Sequence, residues 1–335
     1  MNRRWVSAFL LMIAIALMAA SCSSTSTPSV GEEFALCTDP ADQDHPAISG
    51  YMVVWQDERS GNYDIYGSKI SKGKEFPICT EPDEHGDIHP AISGDVVVWT
   101  DGRNYGRHDW EIFGYDLDTE TELPICTNPT WQYGPAISGD IAVWADYRRV
   151  DYDIHGCNLA TETEFSVCTD PAVQRGPAVS GDIVVWIDKR NGNEDIYGYN
   201  LATETEFPVC TDPAQQDVPA ISGDVVVWQD ERNGNEDIYG YNLATDTEVA
   251  ICTGPADQDH PAISGDIVVW CDERNGNRDI YGYNLATSAE FPICTDPAHQ
   301  RNPAISGDFV VWTDGRNGNW DIYGIRISLE ELDES

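Results

Sequence analysis

The chain has 335 residues, and its 19 Lys and Arg against 58 Asp and Glu give a formal net charge of -39. This balance argues against sequence-independent nucleic-acid binding and against docking on anionic lipid through a basic patch, because both need clustered cationic side chains. Hydrophobic residues still make up 41% of the chain, with 11 Trp and 15 Tyr, so the sequence predicts a folded protein with a substantial core.

The N-terminal segment is typical of an export signal. Residues 1–5 supply a basic start, and an apolar stretch of 15 residues follows over 6–20, which is too short to span a bilayer comfortably. The small residues before Cys22 resemble the lipobox of bacterial lipoproteins. We therefore predict a signal peptide over 1–21, a lipidated Cys22, and a polar tether over 22–32. Ordinary secretion with cleavage nearby is the alternative.

A repeat occupies most of the remaining chain. A middle segment ending in tryptophan recurs seven times, with spacings of 44, 45, 42, 42, 42 and 42 residues, at Trp55, Trp99, Trp144, Trp186, Trp228, Trp270 and Trp312. Each unit reads as four short strands, typified by PAISG, DVVVW, DIYGYNL and EFPICT, with no helical period. The pattern predicts an all-β, seven-bladed β-propeller of four-stranded antiparallel blades over 33–328, followed by an acidic tail over 329–335.

The order of strands at the two chain ends predicts how the ring closes. Residues 33–38 read as a fourth-type strand ahead of the first complete blade, while residues 321–328 read as a third-type strand with no fourth after it. The N-terminal strand should therefore complete the last blade as its outer strand. Proline inside the fourth strand at positions 77, 124, 208 and 292 also places that strand at the blade edge, because proline cannot donate to a ladder.

The repeat unit resembles the propellers of the TolB type. The shared features are a middle strand that ends in an aromatic residue, a short Asp/Gly turn and a strand that begins Asp-Ile-Tyr. The resemblance covers about nine-tenths of the chain by repeat pattern. It implies the propeller architecture and specifies no function, because one fold carries many functions.

Two residue types recur in every blade and are expected to build it. Seven cysteines occupy one equivalent position on the outer strand, at Cys37, Cys79, Cys126, Cys168, Cys210, Cys252 and Cys294. Neighbouring outer strands lie too far apart for disulfides, so we expect free thiols. An arginine follows each middle strand, and we expect it to clamp an upstream Asp and a downstream acid, such as Asp230 and Asp237 around Arg232.

Candidate functional residues lie where the repeats differ. The loops entering each first strand, and those between the second and third strands, share one face of a propeller, here called the variable face. Every histidine except His155 maps to this face. The residues before the first-strand prolines should ring the channel mouth. The candidate ligand-binding residues are His45, His89, Trp131, Tyr133, Arg175, His260, His299 and Arg301.

The histidines at the mouth also raise the question of a metal. Neutral imidazole is the commonest transition-metal ligand, so His45 and His89 are the metal candidates, with help from Asp44 or Asp87. These two histidines belong to neighbouring blades, whereas His260 lies on blade 6. The ring geometry therefore predicts at most a partial site.

Enzyme signatures are missing from the sequence. It has no nucleophile elbow, no His-Glu-x-x-His motif and no phosphate-binding glycine loop. We predict an exported, monomeric scaffold without a cofactor that binds protein or glycan, anchored in the cell envelope through Cys22 and without nucleic-acid partners. The alternative is a polysaccharide lyase or hydrolase with a histidine-based metal site at the mouth. A structural surface-layer protein is a third class.

Overall fold

The computed structural model describes residues 29–71, 73–80, 89–103 and 110–328. Cys22, His85, Asp87, His108, the predicted signal peptide and the acidic tail lie outside these ranges. Within them the chain is entirely β-structure and turns, and no helix there is long and apolar enough to cross a membrane.

Seven antiparallel sheets confirm the predicted propeller. Blade 1 contains β3 (Gln43–Ser49), β4 (Met52–Asp57), β5 (Asp64–Lys69) and β6 (Glu75–Cys79). Blade 2 contains β7 (Ala91–Ser93), β8 (Val96–Asp101), β9 (Glu111–Asp116) and β10 (Thr121–Cys126). Blade 3 contains β11 (Gln132–Ser138), β12 (Ile141–Asp146), β13 (Asp153–Asn158) and β14 (Thr163–Cys168).

The later blades repeat the same four-strand meander. Blade 4 contains β15 (Gln174–Ser180), β16 (Ile183–Asp188), β17 (Asp195–Asn200) and β18 (Thr205–Cys210). Blade 5 contains β19 (Gln216–Ser222), β20 (Val225–Asp230), β21 (Asp237–Asn242) and β22 (Thr247–Cys252). Blade 6 contains β23 (Gln258–Ser264), β24 (Ile267–Asp272), β25 (Asp279–Asn284) and β26 (Ala289–Cys294). Blade 7 contains β27 (Gln300–Ser306), β28 (Phe309–Asp314) and β29 (Asp321–Ser328).

The N-terminal strand closes blade 7, as predicted. Strand β2 (Phe34–Cys37) pairs antiparallel with β29, with Phe34 opposite Gly324. A further short strand, β1 (Ser29–Val30), pairs with the end of β29, and the Gly31 amide donates to the Arg326 carbonyl at 2.9 Å. Among the described residues, strand pairing includes Ser29, inside the segment expected to be tether, because β29 is long enough to pair with both β2 and β1.

A ring of hydrogen bonds joins the first strands on the face opposite the variable face. In every blade the glycine of the turn after the first strand donates its amide to the serine hydroxyl of the preceding blade, at 2.9–3.0 Å. The seventh bond, from Gly50 to Ser306, joins blade 1 to blade 7. The turn after the first strand therefore also connects the blades.

A repeated side-chain cluster holds each blade to its neighbour. The seven middle-strand tryptophans are at most 1% exposed, and each indole donates to the Asp two residues later at 2.8–3.2 Å. The arginine two residues after that Asp pairs with the same carboxylate at 2.5–2.7 Å. A guanidinium nitrogen also reaches the outer-strand cysteine sulfur of the preceding blade, as Arg232 does with Cys210 at 3.2 Å.

The prediction of a downstream acid as the second partner of each arginine was wrong. The arginine binds a glutamate on the outer strand of its own blade, as Arg232 binds Glu248 at 2.7 Å. In blade 7 this glutamate is Glu33, from the N-terminal segment. The downstream acid is instead held by asparagines of the turn, since Asn233 and Asn235 both donate to Asp237. The outer-strand glutamate therefore takes the place at the guanidinium that the sequence analysis gave to the downstream acid.

The nine cysteines in the described ranges are free thiols. Burial raises the pKa of Cys37 to about 12 and that of Cys126 to about 11. Because the thiolate is the reactive form, these side chains are chemically quiet packing groups at the blade junctions.

Candidate functional site

The residue before each first-strand proline has a left-handed backbone in all seven blades. Its φ is 48° at His45, 29° at His89, 48° at Val218, 52° at His260 and 51° at Asn302. Glycines with φ of 60° and 58° take the position in blades 3 and 4. Except in blade 2, where β7 begins later, the pairing of first and second strands shifts register across this position, which is a β-bulge.

Five of these positions contribute side chains to one cavity. This cavity of about 230 Å³ is lined by four of the adjoining prolines and by residues from five blades: His45, His89, Val218, His260 and Asn302. Five of the seven positions predicted to ring the channel mouth therefore meet around one cavity, and three of the candidate histidines are among them.

His45 and His89 form a close pair within this cavity. Their Nε2 atoms are 3.2 Å apart, and the rings meet edge to face with centroids 4.1 Å apart. A hydrogen bond between these nitrogens needs one Nε2 to carry a hydrogen and the other to accept it. His260 pairs separately with Asp259, whose Oδ1 lies 3.1 Å from His260 Nδ1.

The two candidate arginines are engaged in ion pairs that cross blade boundaries. Arg175 of blade 4 binds Glu194 at 2.7 Å and Asp217 of blade 5 at 3.0 Å. Arg301 of blade 7 binds Asp44 of blade 1 and lies 3.8 Å from the centroid of the Trp320 ring. Their guanidinium groups therefore stabilise the rim of the mouth.

The rim carboxylate Asp44 is strongly held. Burial raises its pKa, but the nearby charges of His45 and Arg301 outweigh burial, so the pKa of Asp44 lies below its ordinary value. The Thr313 hydroxyl donates to the same carboxylate at 2.8 Å, as does the Asn302 amide at 2.9 Å. Asp44 stays ionised and ties blade 7 to blade 1.

His299 does not join the mouth cavity. Its Nδ1 accepts from the Arg278 amide at 3.2 Å, and it lines a separate cavity of about 420 Å³ together with Asp42 and Trp320. The structure therefore separates it from the other candidate histidines.

Blade 3 carries a cluster of aromatic side chains on the variable face. Tyr133 meets Tyr152 edge to face with centroids 4.8 Å apart, Tyr152 lies 4.9 Å from Tyr147, and Tyr147 lies 6.2 Å from Trp131. Trp131 is 47% exposed and Tyr147 is 40% exposed. Burial, and then the neighbouring Tyr152, raise the pKa of Tyr133 to about 12, so its hydroxyl is neutral.

Two members of this aromatic cluster, Tyr147 and Tyr152, were missed by the sequence analysis. Comparison of equivalent repeat positions could have found them, since blade 4 has Lys189 and Glu194 there. Blade 3 thus replaces charged turn residues with rings, and it is the blade where the variable face offers an extended stacking surface.

Among the described residues, no group of three or more His, Cys, Asp or Glu side chains is placed to hold a metal ion. The His45–His89 pair can supply two ligands at most.

The sheets define the fold class, a seven-bladed β-propeller, and comparison with known proteins finds the same kind of fold. No protein-family model and no curated protein matches the sequence. Among solved structures, oligogalacturonate lyase from Vibrio parahaemolyticus is similar with a TM-score of 0.67 at 13% identity, covering 90% of this chain and 96% of that one. The β-propeller domain of the Trilobed protease from Pyrococcus furiosus gives 0.66 at 12% identity, covering 90% and 98%.

TolB from Acinetobacter baumannii is also a structural neighbour. Its TM-score is 0.48 at 13% identity, covering 87% of this chain and 78% of that one. At these identities the likeness extends to the fold alone, and function depends on the chain's own residues.

Proposed function

We propose that the protein is a non-enzymatic binding scaffold whose variable face takes a glycan or a protein segment. The supporting observation is the aromatic cluster of blade 3, where Trp131 and Tyr147 expose ring surface beside the half-buried Tyr133 and Tyr152. Rings held by their neighbours stack on sugar or aromatic groups with little loss of conformational freedom. The remaining blades form the rigid support.

The charge of the molecule favours a neutral or basic ligand. With a net charge of -39, the protein repels a polyanion at long range. A neutral glycan or a peptide with basic and aromatic residues is the ligand class most compatible with this field.

As part of the same proposal, the protein is exported and anchored in the cell envelope through Cys22. The support is the sequence pattern around Cys22. Replacing Cys22 with serine should move the protein from the membrane fraction to the soluble fraction.

The binding proposal is tested with the purified mature chain on an array of neutral and acidic glycans, alongside a peptide library. We expect retention of a neutral glycan or a basic peptide, weakened on the order of tenfold or more by Trp131→Ala with Tyr147→Ala, since each ring contributes to stacking. Tyr51→Ala is the matched control, because Tyr51 is 59% exposed on the opposite face. Equal affinity of the double variant and the control would contradict the proposal.

A second candidate function follows from the His45–His89 pair. Two nitrogens 3.2 Å apart match two ligands of one transition-metal ion at about 2.1 Å each. This supports a polysaccharide lyase or hydrolase of the kind named for the Vibrio structure. Stoichiometric metal that is lost in the His45→Ala, His89→Ala double variant, together with cleavage of a polysaccharide, would favour this function over the scaffold.

A further inference from the structure

The turn between β12 and β13 of blade 3 departs from the repeat. Blades 4 to 7 have Arg-Asn-Gly-Asn at this point, whereas blade 3 has arginines at 148 and 149, then Val150 and Asp151. Asp151 therefore occupies the position that is asparagine in five other blades: Asn62, Asn193, Asn235, Asn277 and Asn319.

In blades 4 to 7 this asparagine joins one blade to the next. The Asn193 amide donates to the carbonyls of Asp212 and Ala214 at 2.9 and 2.8 Å, and to the Asp195 carboxylate at 2.7 Å. The equivalent amides in blades 5, 6 and 7 make the same three contacts. One side-chain NH₂ group thus faces three oxygen acceptors.

Blade 3 keeps the acceptors and lacks the donor. The matching oxygens belong to Asp153 at the start of β13 and to the carbonyls of Asp170 and Ala172 in the loop before β15. An aspartate at position 151 has no N–H to offer them and adds a second negative charge.

The Asp153 carboxylate is buried and short of donors. The residue is 2% exposed, and its Oδ2 has no hydrogen-bond partner. The equivalent oxygen of blade 4 accepts from Asn191, whose position in blade 3 is taken by Arg149. Arg149 is its nearest cation, with Nε 3.5 Å from Oδ2, but that side chain is 62% exposed. Burial raises the pKa of Asp153, the guanidinium groups of Arg149 and Arg148 lower it, and the carboxylates of Asp146 and Asp151 raise it further.

Three of the four acidic or carbonyl-bearing residues, Asp151, Asp153 and Asp170, border a single cavity of about 220 Å³. The rest of its lining is Arg149, Val150, Thr169 and Pro171. The cavity is large enough for an ion and several waters.

We propose that a calcium ion replaces the missing amide in blade 3, bound by the carboxylates of Asp151 and Asp153 and by the main-chain carbonyls of Asp170 and Ala172. The set is all oxygen, which is what calcium prefers, and water completes its six to eight ligands. Two carboxylates balance the charge of the ion. The ion joins blade 3 to blade 4 as the asparagine joins the later blades.

The test uses the purified mature chain, stripped with chelator and titrated with CaCl₂ at physiological salt by calorimetry and thermal melting. We expect one calcium ion per chain and a rise in Tm on the order of several degrees at a hundredfold excess over Kd. Asp151→Asn restores the residue of the other blades. It should lose this calcium response and, in chelator, melt above the wild type.

Two further variants make the result specific. Asp153→Asn removes the other carboxylate and should also lose the calcium response. Asp118→Asn removes the same charge from an exposed outer turn and should keep it. Absence of calcium binding by the wild-type protein, or an equal response in Asp151→Asn, would overturn the proposal.

Discussion

At the residue scale, the geometry of the mouth depends on seven left-handed residues. Glycine, asparagine and histidine accept this backbone more readily than β-branched residues. Val218 is the β-branched member of the ring, with φ of 48°. The left-handed backbone found at His45, His89 and the equivalent positions is therefore costly at one blade and well tolerated at the others.

Replacing Val218 with asparagine, the residue found at the same position in blade 7, should stabilise the protein. We expect the free energy of unfolding to rise by about 1 kcal/mol, because the left-handed backbone penalises a branched Cβ. Gly134→Val is the converse control. Gly134→Val should lower the free energy of unfolding. A Cβ at Gly134 would meet nothing within 4 Å, so the loss would come from the backbone preference of valine and not from a clash at Cβ. Urea denaturation of both variants is the measurement, and a loss of stability in Val218→Asn would contradict the argument.

At the element scale, each blade is held by a buried carboxylate that receives an indole and a guanidinium. In blade 6, Asp272 is 0% exposed and binds Arg274 at 2.5 Å and Trp270 at 3.0 Å. Burial raises the pKa of Asp272, but the hydrogen bonds from Arg274 and Trp270 outweigh it, so the pKa lies below its ordinary value. A carboxyl with a lowered pKa stabilises the fold above its unfolded pKa, and this contribution disappears as pH falls through the folded pKa.

Arg274→Ala should therefore destabilise the protein most at neutral pH. We expect a loss of about 3 kcal/mol at pH 7, because a buried carboxylate is left without its cation. The difference from the wild type should shrink as the pH falls below about 4, where carboxylates protonate. Urea denaturation at pH 7 and pH 3 measures it. Arg326→Ala is the control. The Arg326 side chain is 63% exposed and pairs with Asp308, so its loss should change the free energy of unfolding little.

At the scale of the whole molecule, three features close the ring between blades 7 and 1. The N-terminal strands pair with β29, Glu33 binds Arg316, and Asp44 binds Arg301. On the opposite face, the hydrogen bond from Gly50 to Ser306 joins blade 1 to blade 7 in the same way as the equivalent bonds join the six other pairs of neighbouring blades. The stability of the propeller should therefore depend on the first residues of the described chain.

Removing residues 29–38 should lower the Tm of the whole protein in a single transition and promote association. The deletion exposes the edge of β29, which offers unpaired N–H and C=O groups to another chain. Removing residues 329–335 is the comparison, because those residues follow the last strand. Differential scanning calorimetry and light scattering are the measurements. An unchanged Tm after the first deletion would show that blade 7 does not need its N-terminal strands.

The candidate site was predictable where a repeat position signals its own geometry. The position of the residues before the first-strand prolines in the repeat predicted that they lie at the mouth. Trp131 and Tyr133 were recognised as candidate binding residues because blade 3 differs from the other blades there. The ion pairs of Arg175 and Arg301 were not foreseen, because their partners Asp217 and Asp44 lie on neighbouring blades. His299 lies in a separate cavity, and this position likewise depends on how adjacent loops pack.

By itself, the sequence determined the number of blades, the order of strands and the mode of closure, because spacing, alternation and turn residues are local properties that recur seven times. Only the tertiary structure decided which side chains meet. Outer-strand glutamates replace the expected acids at the arginines, His45 and His89 come within 3.2 Å, and Asp151 shares a cavity with Asp170 of the next blade's entering loop. These contacts join residues from different strands or blades, and their distances depend on bulges and ring curvature that no single repeat encodes.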